Sequence, residues 1–403
     1  MSWVGEALLT LHNWRNNVAQ IKCNIQKEPK PLRIGVISAA AINGLALFDA
    51  VDTHPGVVAS AVASRSVEKA QAQIAKYGLQ STRASGSYAE LLEDPEIDAV
   101  YIPLPTAFHY EWAIKAMEAR KHVLIEKPVA SNAEQVERIK KCSASTGMVA
   151  VEALHWRFHP AAHSIKATIA SGQYGNVQSV SARMILPRGL LKQDDIRLNY
   201  SLAGGACMDL TYVFSATKYF AGPTTKDFKY KVLEATARPT GNDPRVDEAI
   251  RAVYSIEYPD RPAVVCTVEA DLSQPKLFGL IPKFWHSTPV VVVELERARI
   301  EFSNFVLPWV SHQITTTEKD ANGGLTTTRK IEQHYSGGPE WGSKGQNWWT
   351  TYRYQLEAFV AKIKSASMEK ESETPWISLG DSVQLMELID AVYDKAGLPR
   401  RGL

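Results

Sequence analysis

The chain has 403 residues, 45% apolar and 22% charged, and 45 Lys and Arg oppose 43 Asp and Glu for a net charge of +2. That length exceeds one ordinary hydrophobic core, and that mix excludes a disordered or fibrous chain, so two domains are expected. The near balance of charge gives no basis for binding nucleic acid or a membrane surface, and no apolar run reaches the ~18 residues of a spanning helix.

Residues 1–31 carry Trp3, Leu8, Leu9, Leu11 and Trp14 but fit no long helix. A signal peptide would place basic residues before an unbroken apolar stretch, and here His12 and Asn13 interrupt it. The segment reads as an arm packing on the body or on a partner chain, with an amphipathic transit peptide as the alternative. Pro29 and Pro31 end it. Cys23, Cys142, Cys207 and Cys266 form no CxxC pair and no zinc ligand set. No metal site is expected, and a reducing compartment, the cytoplasm, is the expected location.

Regular architecture begins near Arg33. Strands are expected over 32–38, 57–63, 97–102, 122–125 and 149–153. Helical patterns run through Leu45, Phe48 and Val51, then over 67–77, 88–92 and 109–119, and after a cap at Ser131 or Asn132. Gly78 suits a left-handed helix end. The alternation predicts right-handed βαβ units on a parallel sheet.

A dinucleotide turn favours GxGxxG, because glycine permits a tight turn and close approach to pyrophosphate. This chain offers Gly35, then Ser38, Ala40, Ala41 and Ile42. Small side chains leave room, and amides at the next helix start suit phosphate; a generic α/β crossover fits the turn as well. The second strand ends Ala63-Ser64-Arg65-Ser66, where an NAD site would place an acid. Arg with Ser suits a 2′-phosphate, so NADP(H) is favoured over NAD(H). A solvated Arg65 at a helix start is the plainer reading. Beyond later strands lie Pro103, Leu104, Thr106 and His109, then Glu126-Lys127-Pro128. Ligands of open α/β sheets bind at these carboxyl ends. Lys127 there suits proton transfer or a bond to a substrate hydroxyl, with Glu126 orienting it; a surface Glu-Lys pair is the alternative. Pro128 holds Lys127 extended and suits a cis bond.

The segments IGVISAAAI from Ile34, VASRS from Val62, YIPLPTAFHYEWAIKAM from Tyr101, HVLIEKPVA from His122, EALHWRFHPA from Glu152, DIRLNYSLAGGACMDL from Asp195 and TYRYQLEAFVAKI from Thr351 together resemble the glucose–fructose oxidoreductase / inositol dehydrogenase / MocA family. The local likeness is to its dimeric dihydrodiol dehydrogenase and NADP-dependent D-xylose dehydrogenase branch. The resemblance spans residues 33 to about 399. It implies a Rossmann domain followed by an α/β domain with a large, open, mostly antiparallel sheet, which dimerises through that sheet. It implies that Lys127 lies beside nicotinamide and assists proton transfer. It maps the glycine-rich turn onto Gly35, Ser38 and Ala40, two usual glycines being replaced.

The expected domains are an arm (1–31), a dinucleotide-binding domain (32–153), a substrate and oligomerisation domain (154–375) and a final helix and tail (376–403). In the second domain, strand-like runs cover 177–186, 249–258, 263–272 and 290–302. Helices at 160–171 and 354–364 are expected to cover the sheet, 381–396 is helical up to Gly397, and 315–330 reads as an exposed hairpin. The Phe- and Trp-bearing stretch 277–288 reads as a variable insert. Trp156 and Arg157 are assigned to the nucleotide side, and His155, His159, Arg197 and Asn199 to the substrate. Arg157 suits a hydroxyl, a carboxylate or a structural ion pair, and the histidines suit a core as well. Gly204-Gly205 allows the backbone close to a ligand or a tight helix entry. Relatives place Tyr or His four residues after the Asp that matches Asp209; here that residue is Val213, Tyr212 lies one earlier, and Thr211 replaces a glycine. If one helix carries both, Asp209 and Tyr212 share a broad face. Lys127, Asp209 and Tyr212 are the expected catalytic residues.

The expected activity is hydride transfer between NADP(H) and a sugar, cyclic diol or related polyhydroxylated or carbonyl compound, by a homodimer. The alternatives are a nucleotide-dependent lyase or rearrangement enzyme of the same family, and a non-catalytic NADP-binding regulatory or structural protein.

Overall fold

A computed structural model describes residues 2–192, 194–222, 228–277, 286–368 and 374–402. The chain divides into two units, Met1–Phe158 with Gly345–Val383, and His159–Lys344 with Gln384–Leu403. Gly345–Val383 thus groups with the first unit, although it follows the second unit's strands in sequence.

In the first unit β1 (Leu32–Ile37), β2 (Val57–Ala63), β3 (Arg83–Ser85), β4 (Ala99–Ile102), β5 (His122–Ile125) and β6 (Ala150–Glu152) form a sheet of order β3-β2-β1-β4-β5-β6. Every pairing is parallel. Such strands are covered on both faces and therefore read as continuous apolar runs. Val36, Val100, Ile102, Val123, Ile125 and Val151 accordingly have no solvent exposure. The strand order reverses between β1 and β4, which opens a crevice at the carboxyl ends there. The caps fall where short polar side chains precede apolar periodicity: Ser66, Ser87 and Asn132 each accept an amide of the first helical turn. Gly78 closes its helix in the left-handed region. β3 is a short strand that the sequence pattern does not disclose.

The arm departs from expectation. Ser2–Arg15 is a 14-residue helix and Val18–Asn24 a second. Neither rests on its own periodicity, since Leu11 is 57% and Trp14 80% exposed. They are held by contacts to the unit's body, as short helices generally must be. Glu6 accepts from Lys76 Nζ at 2.8 Å and from Tyr77 OH at 2.6 Å. His12 Nε2 donates to the Trp348 carbonyl at 2.9 Å, and Lys22 meets Asp49 at 2.8 Å.

In the second unit β7 (Val177–Pro187), β8 (Lys229–Pro239), β9 (Asp247–Glu257), β10 (Val264–Gln274), β11 (Val290–Leu295), β12 (Ala298–Ser303), β13 (Gln313–Lys319) and β14 (Leu325–Glu332) form a sheet of order β14-β13-β12-β11-β7-β10-β9-β8. All pairings are antiparallel except β10 with β7. The run 290–302 is two strands with a turn at Glu296-Arg297. One face alternates into a core of Val180, Ala182, Val268, Ala270, Val291 and Val293. The helix Tyr212–Phe220 covers it with Val213, Phe214 and Phe220, and Pro160–Ala170 packs on that helix. Thr351–Ser367, expected to be cover for this sheet, packs instead on the His155–Phe158 turn of the first unit. Of the stretch 277–288, residues 278–285 lie outside the described residues.

Candidate functional site

The site residues fall in both units. In the first, the turn after β1 is shaped by Ser38, whose φ of 114° lies where glycine is ordinarily found. Asn43 Nδ2 donates to the Ser38 carbonyl at 2.8 Å and Gln73 Nε2 to the Ala40 carbonyl at 2.9 Å. Side chains thus hold a conformation that glycine would adopt unaided. Ala40 and Ile42 are half-buried and Ala41 is exposed, leaving the turn open. Gly35 has a different role, because a Cβ there would stand 2.7 Å from Leu91 Cδ2. Its glycine serves packing beneath the turn. Ser64 is buried, Arg65 is exposed, and Ser66 caps the next helix. This open turn and the reversal of strand order fit a dinucleotide, and Arg65 at the end of β2 is an exposed cation beside them.

Lys127 is half-buried at the end of β5, and its bond to Pro128 is cis. The Lys127 amide donates to Glu126 Oε2 at 3.2 Å, and Tyr101 OH donates to Glu126 Oε1 at 2.7 Å. Glu126 is half-buried too. Pro103 is buried, and Leu104 and Thr106 are half-buried on the neighbouring loop. His109 lies between the Pro128 carbonyl at 2.8 Å and the Leu104 carbonyl at 2.7 Å. Its ring thus lies between the two crevice loops. Burial, with the Lys127 charge adding, pushes His109 down to about 4.

His155 is buried, with Nδ1 2.8 Å from Thr351 Oγ1 and its ring 4.1 Å from that of Tyr352. Burial and the Lys127 charge push it down to about 3, so it is neutral near pH 7. Trp156 is fully buried and Arg157 half-buried in the same turn. Glu152, at the end of β6, has no solvent exposure. It accepts from Ser382 Oγ at 2.6 Å and from the Val129 amide at 3.2 Å. Burial pushes it up to about 7, against the Arg157 and Lys127 charges. Sequence reasoning assigned no role to Tyr101, Glu152, Thr351 or Tyr352, although all stand in motifs it singled out.

In the second unit Arg197 contacts two carboxylates. Its Nη1 is 2.9 Å from Asp195 Oδ1 and its Nε 3.1 Å from Asp209 Oδ2. The Asp209 charge, chiefly, raises the Arg197 pKa. Asn199 Oδ1 accepts the Ser201 amide at 2.9 Å and caps the start of the short turn Tyr200–Leu202. His159 caps the helix Pro160–Ala170 and packs its ring 5.5 Å from His312 and 6.4 Å from Tyr335. The argument that Asp209 and Tyr212 share one helix face is corrected here. One helix, Ala206–Asp209, stops at Asp209, and another, Tyr212–Phe220, starts at Tyr212. Val213 is fully buried and Tyr212 is 7% exposed.

Residues 32–153 match a family model described as GFO_IDH_MocA, an oxidoreductase family with an NAD-binding Rossmann fold. A D-xylose 1-dehydrogenase (NADP(+)) of Haloferax volcanii is 30% identical over 370 residues, covering 91% of this chain and 97% of that protein. An uncharacterized oxidoreductase of Rhizobium meliloti is 39% identical over 205 residues, 50% of this chain and 60% of its own length. Among solved structures, a mutant of KijD10, a 3-ketoreductase from Actinomadura kijaniata in complex with TDP-benzene and NADP, superposes with a TM-score of 0.73 at 22% identity. That match covers 91% of this chain and 98% of the other.

Proposed function

The chain belongs to the Gfo/Idh/MocA family of oxidoreductases, and we propose that it interconverts an alcohol and a carbonyl on a sugar, cyclic diol or related polyhydroxylated compound, with NADP(H) preferred over NAD(H). When bound, the nicotinamide ring supplies or accepts hydride at C4. Ser38–Ile42 would hold the pyrophosphate, and Ser64, Arg65 and Ser66 the 2′-phosphate. Pro103, Leu104 and Thr106 would flank the ring.

Lys127 moves the proton at the reacting oxygen. The observation that carries this reading is the place of Lys127 in the chain. It stands at the carboxyl end of β5, on a loop fixed by the Glu126 carboxylate, the buried His109 ring and the buried Glu152. Three fixed neighbours limit the positions its backbone can take, and orientation is where a protein contributes most to such a step. Asp209, held by Arg197, would orient the substrate, with Tyr212 as an acid–base partner. The names of similar proteins, a D-xylose dehydrogenase and a 3-ketoreductase, support the substrate class.

The open face of the second sheet would join two copies in a homodimer. A concavity of about 440 Å³ there is lined by Arg183, Arg299, Glu269 and Glu301 among apolar and hydroxyl side chains, a mixed-sign surface that suits its own two-fold copy. Location in the cytoplasm remains part of this proposal; among the described residues no helix is long and apolar enough to cross a membrane.

The test is a cofactor-linked absorbance screen of sugars, cyclic diols and their carbonyl products, with NAD and NADP in parallel. Turnover with NADP and at least one such compound is expected. Lys127→Ala should lower kcat by about 10²–10⁴-fold while leaving NADP affinity nearly unchanged. Equal turnover by both proteins would overturn the assignment of Lys127.

A further inference from the structure

The second unit contains a buried ion pair that the reading above does not use. Arg401 and Asp247 have side chains with 0% exposure, and Arg401 Nη2 stands 2.7 Å from Asp247 Oδ1. Two more guanidinium donors are taken, Nε by the Gly204 carbonyl at 2.7 Å and Nη1 by the Pro399 carbonyl at 2.6 Å. The Tyr393 ring lies 4.2 Å from the guanidinium, and its hydroxyl donates to Asp247 Oδ1 at 3.1 Å. The remaining carboxylate oxygen, Oδ2, accepts the Cys207 amide at 2.7 Å.

These contacts grip one short stretch of backbone at successive points. Arg401 takes the Gly204 carbonyl, and Asp247 takes the Cys207 amide. Between them Gly205 has a φ of 138°, and a Cβ there would lie 2.1 Å from Asp247 Oδ1 and 2.9 Å from Arg401 Nη2. Gly205 is therefore explained by the approach of this ion pair, and Gly204 by the Arg197 carbonyl, 2.5 Å from where its Cβ would stand. From the other side the same stretch is tied to the Arg197 turn. The Gly205 amide donates to the Arg197 carbonyl at 2.8 Å and the Gly204 amide to the Asn199 carbonyl at 2.9 Å. Asp209, two residues past Cys207, faces Arg197 Nε at 3.1 Å.

We propose that Arg401 is a positioning residue: acting with Asp247, it fixes the Gly204–Cys207 turn and thereby sets the Arg197–Asp209 pair in the arrangement that receives substrate. A buried ion pair is poor evidence for added stability, because desolvation offsets much of its attraction. Its value here is directional. The planar fork presents donors at fixed angles to Asp247 and Gly204, which a lysine does not reproduce. The inference rests on the substrate role given to Asp209 above, so its test has one arm that does not depend on turnover.

Arg401→Lys and Arg401→Ala are compared with the unaltered protein in three measurements. Hydrogen–deuterium exchange reads the hold on residues 204–209. Fluorescence titration with NADPH reads nucleotide affinity. Steady-state kinetics with NADP and D-xylose, or the sugar that the screen identifies, reads the split between KM and kcat. Arg401→Lys should speed exchange across 204–209 and raise the sugar KM at least about tenfold, as small misplacements of positioning groups do. NADPH affinity should stay within about twofold, because the nucleotide contacts lie elsewhere in sequence. Methylguanidinium added to Arg401→Ala should restore both protection and KM. If Arg401→Ala does not accumulate as folded protein, Arg401→Lys carries the test alone. Unchanged exchange over 204–209, or a parallel loss of NADPH affinity, overturns the proposal. Absence of turnover in the unaltered protein sinks the functional reading, and the exchange arm still decides whether Arg401 holds the turn.

Discussion

Lys127 and Asp209 are held by different means. In the first unit Lys127 follows the carboxyl end of β5, an interior strand of a six-stranded parallel sheet, and its loop is fastened by the adjacent Glu126 and by His109 and Glu152, 19 and 23 residues from the backbone groups they hold. In the second unit Asp209 ends a four-residue helix that packs against β9 and β10. Its turn is fastened by Asp247, 40 residues on from Cys207, and by Arg401, 197 residues on from Gly204. The first loop leaves a strand paired on both sides, whereas the second turn rests on side chains from far along the chain. The contrast teaches where single substitutions should do most harm.

The largest effect on stability is expected at the clasp. Asp247→Asn keeps the shape and an acceptor for the Cys207 amide but strands the Arg401 charge. Breaking a buried pair in this way costs about 3–5 kcal/mol, to be measured as a shift in urea unfolding. A loss under about 1 kcal/mol would remove the contrast, since the pair would then be dispensable.

Next in size is Arg65→Ala. A charge-assisted bond to a 2′-phosphate is worth about 1.5–3 kcal/mol. NADP affinity should therefore fall by about 10- to 100-fold while NAD affinity holds. Parallel titrations with the two nucleotides give the answer, and equal changes would return Arg65 to the solvated-surface reading.

Glu152 provides a pH test confined to the first unit. Burial raises its folded pKa from 4.5 to about 7. The folded state thus retains a proton that the unfolded chain releases near 4.5, so this contribution to stability is full below that pH and is lost as pH rises through 7. Glu152→Gln should flatten the decline in urea midpoint between about pH 5 and about pH 8. An unchanged slope would mean that Glu152 ionises freely. The buried histidines act in the opposite direction. His109 and His155 are pushed down to about 4 and about 3 from 6.5, so their contribution is present above 6.5 and is lost on acidification.

The smallest effect is expected at Ser38. Glycine takes a φ of 114° without the strain a side chain meets there. Ser38→Gly should stabilise the first unit by about 1 kcal/mol in thermal or urea unfolding. Destabilisation would show that the Asn43 and Gln73 bonds had already removed that strain.

The parallel sheet was legible because buried strands and capped helices leave local marks: apolar runs, Ser66 and Ser87 before helices, Gly78 after one. The Lys127 loop was legible for a related reason, since Glu126-Lys127-Pro128 follows a strand directly. The arm helices were not legible, because contacts such as Glu6 with Tyr77 form them and the apolar residues show no stripe. The packing of Gly35 against Leu91 was not legible, because Leu91 is 56 positions away. The break between Asp209 and Tyr212 leaves no proline or glycine in its wake, so a single helix was the natural reading. Asp247 and Arg401 are each unremarkable in sequence, and only their meeting gives them meaning.

The first unit is interrupted in sequence, and this bears on how the protein is made. His155 leans on Thr351 and Tyr352, which emerge from the ribosome only after every strand of the other unit. During synthesis, then, a nascent chain ending between residues 155 and 350 carries all six strands of the parallel sheet but lacks the Thr351 and Tyr352 contacts of that histidine. Vectorial folding from the amino terminus can lay down the six strands early but cannot finish the unit, so nucleotide offered to ribosome-stalled chains should bind tightly only once that late helix is released.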